Sequence, residues 1–89
     1  MMDLPKCPKN VQQWLIDREL VPVWDYMLEE LILANRLKDG EYADIDGSAE
    51  FGAKQRAWGA YNALLIIAGR DDGDGIWDAI YRNVKWYVR

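Results

Sequence analysis

The chain is predicted to be all-α, a compact four-helix domain with the third helix at its centre, and three observations carry that expectation. Apolar residues recur at helical spacing in four separate segments. Proline and glycine fall between those segments rather than inside their apolar faces. No segment alternates with period two over enough residues to argue a strand. At 89 residues the chain is the size of one small domain, read as 1–89 with residues 1–9, the proline-broken "MMDLPKCPK", as a flexible lead-in.

The first helix is expected over Asn10–Leu20, with Asn10 as cap and Gln13 three residues on in a capping-box arrangement, and with Val11, Trp14 and Leu15 as its apolar face. Pro22 suits the first turn of a second helix, where its missing N–H costs nothing, and that helix runs to Lys38 with Gly40 as its stop. Ser48 is placed to cap the third helix, over about 49–68, with Glu50 in the first turn and Gly69 at its end. The fourth spans about Gly75–Val88 and gathers Ile76, Trp77, Ile80, Tyr81, Val84, Tyr87 and Val88 on one arc. In the third helix Trp58, Leu64 and Leu65 are expected to be buried, while Gly52, Gly59 and Ala63 occupy what should be its polar back. Small residues on two sides let neighbours approach closely, which is why this helix is placed centrally.

The second helix carries an anomaly. Its main face is Trp24, Met27, Leu28, Leu31 and Ile32, yet Tyr26, Leu33 and Leu37 form a second stripe, flanked by Glu30 and Arg36. A surface helix normally has one apolar face. Either the first helix covers the stripe with Val11, Trp14 and Leu15, or another chain does. Tyr26, Leu33, Leu37 and Glu30 are therefore the candidate partner-binding residues, and two copies meeting on a twofold axis would bury the stripe, with Glu30 and Arg36 facing each other across an antiparallel crossing.

Composition excludes much chemistry. The sequence has no His, no Thr, one Ser (Ser48) and one Cys (Cys7), so neither a disulfide nor an evident nucleophile–base pair is available, and no catalysis and no cofactor are expected. No apolar leader and no apolar run of membrane-spanning length is present, which reads as a cytoplasmic protein without membrane attachment.

Two acidic loops raise the question of a metal. Asp44, Asp46, Ser48 and Glu50 alternate as in the first half of a calcium-binding EF-hand loop, but Ala49 stands where the sharp turn needs Gly and Gln55 where a bidentate Glu is needed. In "GRDDGDGIW" Asp72 and Asp74 keep the two-residue spacing, but Gly73 and Ile76 offer no side-chain oxygen. The aspartates and glycines there are better used to stop one helix and cap the next, and no metal is expected.

The net charge of −4 hides a segregation, because residues 79–89 carry Arg82, Lys85 and Arg89 and no acid. With Trp86 and Asn83 at the edge, that face is an alternative site for nucleic-acid phosphates and a stacked base. Its rival reading is a solvated face whose cations offset the helix dipole. The function expected from all this is a small acidic protein-binding module without enzymatic activity, of the kind a phage or mobile element uses as an accessory protein to inhibit or redirect a host protein. The alternative is a nucleic-acid-binding regulator that uses the basic face.

Overall fold

A computed structural model of the chain describes residues 4–40, 47–71 and 75–89. They form four helices, α1 (Lys9–Asp17), α2 (Val21–Lys38), α3 (Ser48–Arg70) and α4 (Ile76–Val84), and no strand. Asp44 and Asp46 of the first acidic loop, and Asp72, Gly73 and Asp74 of the second, lie outside the described residues.

α2 and α3 form a long antiparallel hairpin that dominates the packing, with α3 central to the fold. α1 lies against α2, α4 lies against α3, and α1 and α4 touch each other, so the four helices close a ring around one core. At 1.5 Å per residue the 23-residue α3 is roughly 34 Å long and the nine-residue α1 and α4 roughly 13 Å each. The short pair covers only part of the hairpin, and the molecule is correspondingly elongated, 43 × 20 × 20 Å.

The core is contributed by every element: Val11, Trp14 and Leu15 from α1, Trp24, Met27 and Leu31 from α2, Ala57, Tyr61, Leu64 and Ala68 from α3, Ile76, Ile80 and Val84 from α4. Alanines at 53, 57 and 68 are all but inaccessible, which lets α2 approach α3 closely. Of the three residues expected inside α3, Leu64 and Leu65 are buried, but Trp58 is 48% exposed. Trp58 sits on the α4 side of α3, and α4 is too short to cover it. Trp77 is likewise 43% exposed, and Tyr81 is only half-buried.

Helix ends differ from the sequence reading in instructive ways. α1 starts one residue before Asn10, Pro8 takes the cap position, and no capping box forms. Gln13 instead donates to Asp17 Oδ1 at 2.9 Å, and Gln12 donates to the Cys7 carbonyl. α1 also stops at Asp17 rather than Leu20, because Glu19 adopts a left-handed conformation, φ 58°. The amide of Leu20 then reaches the Leu15 carbonyl at 2.8 Å and that of Glu19 reaches Ile16, a paired closure that satisfies carbonyls otherwise left open. Gly47 takes the cap position of α3, one residue before Ser48, and Gly75 that of α4, both at positive φ. α4 ends at Val84 and continues as a turn. Pro5 is buried and Leu4 and Cys7 pack on the core, so the stretch from Leu4 onward belongs to the packed fold rather than to a free lead-in.

One polar contact ties α1 to the far end of α3. Asp71, the residue that closes α3, accepts from Trp14 Nε1 at 3.3 Å and forms an ion pair with Arg18, whose guanidinium also lies over the Trp14 ring. Among the described residues no helix is long and apolar enough to cross a membrane.

Two measurements check this packing. Leu64→Ala, at a fully buried site, is expected to lower unfolding free energy by about 2 to 5 kcal/mol in urea titration, whereas an exposed site would leave the midpoint unchanged. Glu19→Gly is expected to raise it by up to about 1 kcal/mol, since the left-handed conformation strains a residue with a Cβ more than it strains glycine.

Candidate functional site

Two exposed tryptophans, Trp58 and Trp77, flank a groove between α3 and α4. α3 contributes Gln55, Trp58, Tyr61, Asn62 and Leu65, residues three and four apart that share one side of the helix. Facing them are Trp77 and Tyr81 of α4 and Lys85, Val88 and Arg89 beyond it. Together they enclose a groove of about 440 Å³, within the range of ligand-binding clefts.

Local sequence sets each wall. Trp77 and Tyr81, one turn apart, stack with ring centroids 5.0 Å apart and planes 12° apart. Trp77 also packs against Gly69, where a Cβ would meet its Cδ1 at 3.6 Å, an ordinary van der Waals distance. After α4 the chain turns, with the amide of Tyr87 on the Val84 carbonyl at 2.9 Å. The turn carries Val88 back into the core and leaves Trp86 63% exposed. Lys85 Nζ stands 5.1 Å from the Tyr81 ring centroid and 5.0 Å from that of Trp86, and the Arg89 guanidinium stands 5.1 Å from Trp86. These cation–π contacts hold two positive charges at the mouth of the groove. No carboxylate is among the described residues that line it.

At its floor, Tyr61 is buried and its hydroxyl has no hydrogen-bond partner among the described residues. Burial pushes the phenol above its ordinary value, the Tyr81 phenol adds to this, and Arg89 opposes it. An orphaned buried hydroxyl is uncommon and costs free energy unless something supplies an acceptor or donor.

The basic face is therefore partly assembled as expected: Lys85, Trp86 and Arg89 converge. Arg82 does not join them, being an exposed residue paired with Asp78 one turn back at 2.9 Å. The stripe on α2 fares differently. Tyr26 is 43% exposed, Leu33 is half-buried, but Leu37 is buried. Glu30 receives the Arg56 side chain of α3 at 2.9 Å, so its charge is met inside the chain. α1 does not cover the stripe; its Val11, Trp14 and Leu15 face the common core with Trp24 and Met27.

A second groove, about 300 Å³, lies between α1 and α2 among Cys7, Leu15, Ile16, Trp24, Asp25 and Leu28. Burial, followed by the nearby Asp25 carboxylate, raises the Cys7 thiol above its ordinary value, which keeps it protonated and poorly nucleophilic. No group of three or more metal-ligating side chains occurs among the described residues. What the α3–α4 groove can do chemically is bind: flat apolar walls, two amides, one unanswered hydroxyl and a cationic rim.

Sequence reasoning missed this groove, although each aromatic was visible to it, because it assigned Trp58, Trp77 and Tyr81 to the core. Comparisons with protein-family models, with curated proteins and with solved structures find no match to this chain.

The floor of the groove generates a direct check. Tyr61→Phe removes a buried hydroxyl that has no partner, so unfolding free energy at neutral pH is expected to stay level or rise by about 1 kcal/mol; a loss of that size would reveal a bond to the hydroxyl. The raised phenol pKa makes the protonated form the one favoured by folding. That contribution is complete below the ordinary value of 10.0 and is lost as pH climbs through the raised value, so the alkaline decline in stability is expected to be smaller in Tyr61→Phe.

Proposed function

We propose that the protein is a non-enzymatic binding module whose working surface is the groove between α3 and α4, and that its partner is another protein. The supporting observation is that Trp58 and Trp77 stand exposed in that groove with Lys85 and Arg89 at its rim, and that a third exposed tryptophan, Trp86, lies against those two cations. Tryptophan, tyrosine and arginine are the residue types that dominate binding energy at protein interfaces, above all around a concave centre. Exposed tryptophan costs a free-standing domain solubility, and three clustered ones are better explained by a surface that is covered in use. The cationic rim on a chain of net charge −4 sets the polarity of the contact: the partner presents an apolar or aromatic anchor flanked by carboxylates. An accessory protein of a phage or mobile element that occupies a host protein's surface is one setting in which such a module would serve.

A second reading is supported by the convergence of Lys85, Trp86 and Arg89, which offers two phosphate contacts beside a free indole face. In that reading a single-stranded nucleic acid tracks the rim.

Capture from the native host with groove variants tests both. Trp58→Ala and Lys85→Glu are expected each to weaken protein capture by roughly 30-fold, the scale of a hot spot worth about 2 kcal/mol. Should capture survive both variants unchanged, the groove is not the working surface. Titration with single-stranded oligonucleotide separates the alternative, since affinity would then fall steeply with salt and the slope would flatten by about one for each of Lys85 and Arg89 removed.

A further inference from the structure

The hydroxyl at the floor of the α3–α4 groove needs a partner that the described residues do not supply. Tyr61 is 4% exposed, and among those residues its oxygen is the one buried side-chain polar atom left without a hydrogen bond. A phenol in that condition forgoes a bond that water gives it in the unfolded chain. Its hydroxyl end faces the groove, because Tyr61 lines that cavity and the two groups that act electrostatically on the phenol, Tyr81 and Arg89, line it too. The charge around it is one-sided. Lys85 and Arg89 stand at the mouth, no acidic side chain is among the described lining, and both cations rest on ring faces. A neutral phenol donates to an anion about twice as strongly as to a neutral acceptor. Hydroxyl and cations therefore ask for the same thing, an anionic oxygen, and the exposed faces of Trp58 and Trp77 ask for a ring beside it.

We infer that the groove takes the C-terminal residue of a partner chain, an aromatic one, whose carboxylate accepts from the Tyr61 hydroxyl and pairs with Arg89 while its ring lies against Trp58 and Trp77. This rests on the groove being a protein-binding surface and names what enters it. A chain end brings ring and carboxylate on a single residue. An internal segment has to fit two residues and its onward backbone into a cleft of about 440 Å³ to reach the same floor. The remaining polar lining suits a peptide as well: Gln55 and Asn62 each carry a donor and an acceptor, the pair of groups that every backbone unit needs met. The hydroxyl is out of contact with water, so entry moves a side chain aside. Lys85 and Arg89, long and held on ring faces, are the ones that yield, and the incoming carboxylate repays the displaced ring contacts with an ion pair.

Titration of the full chain with acetyl-Gly-Gly-Trp, followed by heteronuclear NMR, is expected to give a dissociation constant of about a millimolar or tighter, with shifts at the Trp58 and Trp77 indoles. The same peptide with its carboxylate converted to the amide is expected to bind at least about tenfold more weakly. Tyr61→Phe, which removes only the unpartnered oxygen, is expected to weaken the acid more than the amide and so to narrow that ratio. A variant that merely disturbs the groove weakens both alike. Equal binding of acid and amide overturns the inference, as does a ratio that Tyr61→Phe leaves unchanged, or no binding of the acid up to about 10 mM. Tighter binding of free indole-3-acetate, or of adenosine monophosphate, than of the peptide overturns the chain end in favour of a small acid or a nucleotide. Failure here is distinct from failure of the protein-binding reading: host-protein capture that is lost in Trp58→Ala while the peptide acid does not bind overturns the carboxylate alone.

Discussion

The close antiparallel contact between α2 and α3 is the constraint on which the rest of the molecule depends. It is made possible by alanines at 53, 57 and 68, which bring the two backbones together where larger residues would hold them apart. Nine-residue helices are marginal in isolation, because nucleation costs more than one or two turns of hydrogen bonds return. α1 and α4 therefore hold their shape by lying on a platform that already exists. They do so through Val11, Trp14 and Leu15 on one side and Ile76, Ile80 and Val84 on the other. Leu15, Leu64, Ile80 and Val84, from three of the helices, meet in the same dry centre.

The mismatch between a long platform and its short covers shapes every surface of interest. Because α4 ends at Val84, Trp58 is left without a lid, and the chain beyond it bends to put Lys85 and Arg89 across the opening. The unanswered hydroxyl of Tyr61 sits below, held by packing and not by a bond. The groove is thus a by-product of helix length turned into a feature by residue choice: apolar atoms on the walls and positive charge on the rim.

Most of the architecture was legible in the sequence, because glycine and proline separate four segments whose apolar residues keep a helical period, and α2 was bounded to within one residue by Pro22 and Gly40. Three particulars escaped for physical reasons. Glu19 in a left-handed conformation carries no sequence signal, since the position is normally glycine, and so α1 was drawn three residues too long. Trp58 was placed inside because a helical wheel reports direction but not how far a neighbouring helix extends. Leu37 and Glu30 were read as outward, although Leu37 is buried and Arg56 of α3 pairs with Glu30, because wheel angles on one helix cannot show where the next one lies. The convergence of Lys85, Trp86 and Arg89 was visible from spacing alone, whereas the groove behind them depends on two helices far apart in sequence and could not be.

The division of the indoles also gives the molecule two optical populations. Trp14 and Trp24 are enclosed by core side chains, Trp14 donating to Asp71, while Trp58, Trp77 and Trp86 meet water. The first pair emits from an apolar setting and reports whether the helices are together. The second group emits from a polar one and reports on the surface around α4, with Trp86 biased toward anionic quenchers by the two cations resting on its ring. Core packing and surface environment are thereby written in different parts of one emission spectrum, so the native chain carries its own paired reporters without a label.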